Sequence, residues 1–144
     1  MIDNLITGSL VIGICMIIQS ASISVLLQGI IRQDSKQEIS PTFLRISTVL
    51  VLGVFVLLIG SLIQISIWAA VFMYYDEFTA FKDAFYHSTV NFTTLGYGDF
   101  ILSNERKLLG GLEAVNGILM FGLSSGFLYM LLDALLRRKH GKRN

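Results

Sequence analysis

Three long stretches almost without charge constrain this chain more than any other feature. Leu5 to Ile31 holds no Asp, Glu, Lys or Arg over 27 positions, and Ile46 to Tyr75 holds none over 30. Leu108 to Leu132 covers 25 positions with one charge, Glu113. A helix needs about 20 apolar residues to cross the hydrocarbon of a bilayer. Each stretch is therefore long enough to span, with the surplus taken up by tilt or projecting ends. Composition agrees: 53% of the 144 residues are hydrophobic and 15% charged, which excludes an ordinary soluble domain. The expected fold class is an all-α membrane protein with three transmembrane helices.

The first stretch is not read as a cleaved signal peptide. Asp3 precedes it without any Lys or Arg, the wrong sign for a signal n-region, and the run is longer than a usual h-region. Its Gln19, Ser20, Ser22, Ser24 and Gln28 suggest hydrogen bonding to neighbouring helices. It carries no Arg ladder, so it is no voltage sensor. Cys15 lies inside it with no metal-ligand spacing around it, and reads as a small lipid- or helix-facing residue.

Between the first two stretches, Arg32 to Arg45 is rich in Gln, Ser and charge and reads as a loop. Ser40-Pro41 looks like a helix start, Ser as cap and Pro at the first helical position. Between the second and third, Phe78 to Phe92 has helical character but is too short to cross a membrane, and Asp76 or Thr79 could cap it. Basic residues set the orientation. The first linker holds Arg32, Lys36 and Arg45, and the tail holds Arg137, Arg138, Lys139, Lys142 and Arg143. The segment between the second and third spans holds only Lys82, Arg106 and Lys107. The richer side is expected to be cytoplasmic, with the N-terminus outside.

The chemistry concentrates in Thr93-Thr94-Leu95-Gly96-Tyr97-Gly98-Asp99. An ion crossing lipid must exchange its water shell for other oxygens. Backbone carbonyls serve if successive ones point toward a common axis, which requires alternating, partly left-handed backbone. Gly96 and Gly98 stand at alternate positions where that freedom is useful. The Thr94 hydroxyl adds an oxygen at the inner end, and Leu95 and Tyr97 are expected to pack behind. One chain supplies one strand of oxygens, so a ring needs several copies in cyclic symmetry. The preceding short helix would aim the negative end of its dipole at the ion path.

On these residues the chain resembles the pore domain of the tetrameric potassium channels, especially the small bacterial ones, over Ile46 to Leu136. The resemblance implies three transmembrane helices plus a re-entrant pore helix and a selectivity-filter loop. It implies potassium-selective passive conduction by a homotetramer, with K+ at oxygens of Thr94, Leu95, Gly96 and Tyr97. The implied organisation is an extra N-terminal helix (1–31), a cytoplasmic linker (32–45), a pore domain (46–136) and a basic cytoplasmic tail (137–144). Within the pore domain lie an outer helix (46–75), pore helix (78–92), filter (94–98) and inner helix (108–136). Asn116 to Leu123 is similar to the glycine-containing middle of family inner helices, with Gly117 at the hinge position and Gly122 beyond it.

The sequence departs from the family in places. Leu95 stands where Val is commoner. Val90 stands where some relatives carry an acid that pairs with the aspartate after the filter, so Asp99 needs another partner. Tyr86, where Trp is frequent, could supply it. Weakly selective cation conduction and a non-conducting regulatory subunit are the alternatives. No nucleophile–base pair, metal cluster or phosphate loop points to an enzyme. No cofactor is expected beyond K+ as the permeant ion, and the net charge of +1 gives no sign of a nucleic-acid partner. The bacterial inner membrane is the expected location.

Other polar residues carry two readings each. Glu113 and Asn116 share a helix face. An intramembrane carboxylate is a functional candidate, with bracing of the filter preferred over ion or proton sensing. Ser125, Tyr129 and Asp133 follow a four-residue spacing and could line the inner mouth, with Tyr129 as a gate. Alternatively Tyr129 anchors at the interface and Asp133 pairs with Arg137. His87 reads as a hydrogen-bonded structural histidine before a pH sensor. The basic tail reads first as a topology signal, with anionic lipid headgroups as the alternative partner.

Overall fold

A computed structural model describes residues 1–34 and 43–141. It contains four helices: α1 (Ile2–Asp34), α2 (Phe43–Tyr74), α3 (Phe81–Phe92) and α4 (Lys107–Gly141). No strand occurs among the described residues. Three of the helices are long and apolar enough to cross a membrane. Runs this rich in Ile and Val go helical because lipid offers no partner for an open backbone, and a helix satisfies its own amides. At 1.5 Å per residue, α1 is about 50 Å long, well beyond the roughly 30 Å of hydrocarbon. The proposed helix start at Ser40-Pro41 lies outside the described residues, as do the tail side chains from Arg138 onward.

Helix ends differ from the sequence expectation where local bonding overrides periodicity. The last turn of α2 closes by two main-chain bonds. Glu77 N donates to Phe72 O (3.0 Å) and Asp76 N to Met73 O (3.0 Å). That pattern requires a left-handed residue after the helix, and Asp76 supplies it at φ 58°. Asp76 therefore does not cap α3, and neither does Thr79. The N-cap is Ala80, extended at φ −118° and ψ 132°, with no side-chain cap bond. α3 begins at Phe81 rather than Phe78 because Phe78 is held in a ring cluster with Phe72, His87 and Phe100. The Glu77 carboxylate is committed elsewhere, accepting from Ser103 N at 2.8 Å and Ser103 Oγ at 2.5 Å. The inner helix does not stop at Leu136. α4 continues into the basic segment through Gly141, as Leu, Arg and Lys favour helix.

α3 packs against α2 and α4, while α1 packs against α2 and α4 without reaching α3. One apolar cluster joins Val11, Trp68, Phe72, Phe92, Leu109 and Met120, and a second joins Leu26, Leu57, Phe127 and Leu131. Lipid offers little hydrophobic drive for helices to associate, so close approach and polar bonds carry the packing. At Gly60 an added Cβ would press on the Ser22 hydroxyl, so these two small residues set the α1–α2 approach. Of the polar residues of α1, Gln19 bonds across helices as expected, whereas Ser22 and Ser24 donate back to the Ile18 and Ser20 carbonyls of their own helix. Gln19 Nε2 donates to Ser124 Oγ (2.8 Å) on α4, and Gln19 Oε1 accepts from Gln64 Nε2 (2.9 Å) on α2. At the N-terminal end of α1, Asp3 pairs with Arg106 at 2.6 Å, and Asn4 Oδ1 also accepts from Arg106. The Arg106 guanidinium lies 3.6 Å from the centre of the Tyr75 ring, and Thr7 bonds the Tyr75 hydroxyl at 2.9 Å.

Candidate permeation site

The Thr94–Gly98 segment leaves the C-terminal end of α3, where the helix dipole is negative. Its first residues are fixed by the helix itself. Thr94 N donates to Asn91 O (2.9 Å), Leu95 N to Val90 O (2.9 Å) and Gly96 N to Val90 O (3.4 Å). This is the same closure that ends α2, and it again places a non-glycine residue in the left-handed region, Thr94 at φ 58°. Gly96 (φ 58°) and Gly98 (φ 79°) follow, while Leu95 and Tyr97 between them keep negative φ. Handedness thus alternates residue by residue across the segment. Alternation of this kind turns successive carbonyls toward one side, whereas a uniform helix or strand does not.

Behind the segment is a cavity of about 130 Å³ lined by residues of α3 and the 96–100 stretch, among them Tyr86, His87, Asn91, Tyr97 and Asp99. Asp99 has its partner in Tyr86, whose hydroxyl donates to Asp99 Oδ2 at 2.8 Å. That bond chiefly raises the Tyr86 pKa above the usual tyrosine value. Leu95 and Tyr97, expected to pack behind, are 55% and 64% exposed. A single chain leaves more than half of each residue's surface uncovered.

Glu113 is fully buried on α4. Asn91 Nδ2 donates to Glu113 Oε2 at 2.7 Å and to Gly110 O at 2.8 Å. Asn116, one turn on, is buried with neither side-chain atom hydrogen-bonded. Cys15 is also fully buried, beside Asn116 and Trp68, so it faces helices and not lipid. No group of three or more His, Cys, Asp or Glu that could hold a metal ion occurs among the described residues. His87 differs from the expected hydrogen-bonded histidine: its Nε2 is buried without a partner. The ring instead packs edge-on to Phe72, with centroids 5.3 Å apart, and against Phe78 at 5.1 Å. Burial lowers its pKa, partly opposed by Glu77.

The inner-helix candidates stand as follows. α4 runs unbroken through Gly117 and Gly122. A Cβ at Gly117 would overlap the main-chain carbonyl of Phe92 in the last turn of α3, whereas nothing lies near Gly122. Ser125 and Tyr129 are exposed on one face. Asp133 on that face accepts from Arg137 Nε at 2.7 Å.

Asn91 is the residue that sequence reading missed. Its signal was a polar side chain in the last turn of the short helix, directly before the Thr94–Gly98 segment. Arg106 was likewise read only as a topology charge, and it instead fastens α1 to the start of α4.

Three spanning helices and a short helix between the last two define an integral membrane protein. The profile of a family described as "Ion channel" matches residues 51–133, which include α3, the Thr94–Gly98 segment and most of α4. The chain belongs to that ion-channel family. No curated protein and no solved structure matches it.

Proposed function

We propose that this chain is one subunit of a homotetrameric potassium-selective channel, with Thr94 to Gly98 as its filter. The observation that carries the reading is the alternating backbone handedness at Thr94, Gly96 and Gly98 within Thr-Leu-Gly-Tyr-Gly. Oxygens of Thr94, Leu95, Gly96 and Tyr97 replace the hydration shell of K+, and four copies complete each ring. The uncovered Leu95 and Tyr97 are consistent with neighbouring subunits packing behind the filter. The negative ends of four α3 helices favour a cation beneath it. The Ser125, Tyr129 and Asp133 face lines the inner mouth, with Gly117 and Gly122 on the same moving helix. Tyr86, through Asp99, supports the outer end of the filter. The N-terminus lies outside and the basic tail in the cytoplasm, in a bacterial inner membrane, with anionic lipid available to the tail.

Purified chain in liposomes tests this directly. Potassium flux without sodium flux, blocked by barium, is the expected result. Equal potassium and sodium flux rejects selectivity and favours a general cation pore. A complete absence of flux favours a regulatory subunit.

A further inference from the structure

We infer that Asn91 and Glu113 form a positioning pair that sets the inner end of the filter from behind, through the last turn of α3. The inference rests on the potassium-channel reading and deepens it.

Three observations converge on one turn. Asn91 bonds α3 to α4 twice through its side chain, to the Glu113 carboxyl and the Gly110 carbonyl. Its own main-chain carbonyl accepts the Thr94 amide at 2.9 Å, the bond that holds Thr94 left-handed. One residue therefore ties the inner helix on its side-chain end and the first filter residue on its backbone end. Gly110, Glu113 and Gly117 recur at three and four residues, so they share a face of α4. At Gly117 the missing side chain lets that face approach the Phe92 carbonyl. The turn carrying Val90 O and Asn91 O, which receive the amides of Thr94, Leu95 and Gly96, is thus pinned against α4.

Val90 offers no carboxyl at the last turn of α3. Here the carboxyl comes from the inner helix, and Asn91 carries its effect to the filter backbone. The pair does not touch the ion. It acts on the geometry of the Thr94 ring, so disturbing it alters discrimination between ions.

The test uses the full chain in liposomes and measures the potassium-to-sodium flux ratio, with assembly checked by size-exclusion chromatography. Asn91→Asp keeps the shape but replaces the amide donor with a carboxyl facing Glu113. This removes both hydrogen bonds that Asn91 Nδ2 donates, to Glu113 and to the Gly110 carbonyl, and lowers the ratio by roughly tenfold or more. Adding Glu113→Gln restores a bond of reversed polarity, since the new amide donates to Asp at 91, and brings the ratio back to within about threefold of wild type. A purely structural contact would not produce that recovery in selectivity. The inference is overturned if assembled Asn91→Asp keeps the wild-type ratio, or if the double variant is no better than the single. Failure of this isosteric variant to assemble would make the pair a folding contact and overturn it too. A wild-type chain that does not discriminate potassium from sodium rejects the channel reading itself, and the inference with it.

Discussion

Replacing Gly117 by Ala separates two accounts of the inner helix. If Gly117 matters as a flexible point, alanine acts by stiffening α4, and Gly122→Ala should act similarly. If it matters as a contact, only position 117 is sensitive, because an added Cβ there meets the Phe92 main-chain carbonyl while one at Gly122 meets nothing. A backbone carbonyl cannot rotate away as a side-chain tip can, so the overlap sits at the upper end of overpacking costs, about 3 kcal/mol. Alanine returns about 1 kcal/mol of helix propensity. The net cost of Gly117→Ala is about 2 kcal/mol per subunit, while Gly122→Ala gains up to about 1 kcal/mol. For a chain of this size that is a melting temperature lower by about 4–8 °C for Gly117→Ala. Thermal unfolding in detergent reads this through Trp68, the single tryptophan and fully buried. A Gly117→Ala protein that melts at or above the wild-type temperature would refute the contact account.

Further tests address individual side chains. Gly96→Ala places a Cβ on a left-handed residue at φ 58°, a strain of about 1–2 kcal/mol per subunit. It should assemble yet lose potassium flux in liposomes, and normal conduction would remove Gly96 from the filter. Tyr86→Phe deletes only the donor to Asp99, so it should lower the potassium-to-sodium flux ratio with little change in melting temperature. An unchanged ratio would leave the bond without a role in permeation. His87 has its pKa lowered by burial, so the unfolded chain binds its proton first as pH falls. Stability should therefore be intact above about pH 6.5 and decline as pH drops below it. His87→Phe should flatten that decline, and a variant with the wild-type pH profile of melting would exclude His87 as its source.

The membrane architecture was legible in the sequence because long apolar length is a direct physical requirement for spanning, and Leu5–Ile31, Ile46–Tyr75 and Leu108–Leu132 meet it, the last with the single charge of Glu113. The Asp99–Tyr86 bond was legible through the family resemblance, which left Asp99 in need of a partner and put the Tyr86 hydroxyl forward as one candidate. Capping was not legible. Asp76 is a good N-cap by type, but it also tolerates left-handed backbone, and the end of α2 claimed it first. The environment of His87 was hidden because its neighbours Phe72 and Phe78 come from α2 and the turn after it, a placement that periodicity does not encode. The role of Gly117 was ambiguous for a related reason. A glycine needed for closeness and a glycine needed for bending look the same in sequence, and only the position of Phe92 separates them.

Thr94 and the two glycines share one backbone handedness but differ in stiffness. Threonine is β-branched, so its left-handed geometry persists only because the surrounding turn imposes it through the Asn91 and Val90 carbonyls. Gly96 and Gly98 adopt theirs freely and can leave it as freely. The segment is therefore graded along its length, clamped where it joins α3 and supple toward Asp99. In the proposed tetrameric filter, withdrawing ions should collapse the supple end first and stop short of Thr94, leaving one ring as the template from which the others re-form.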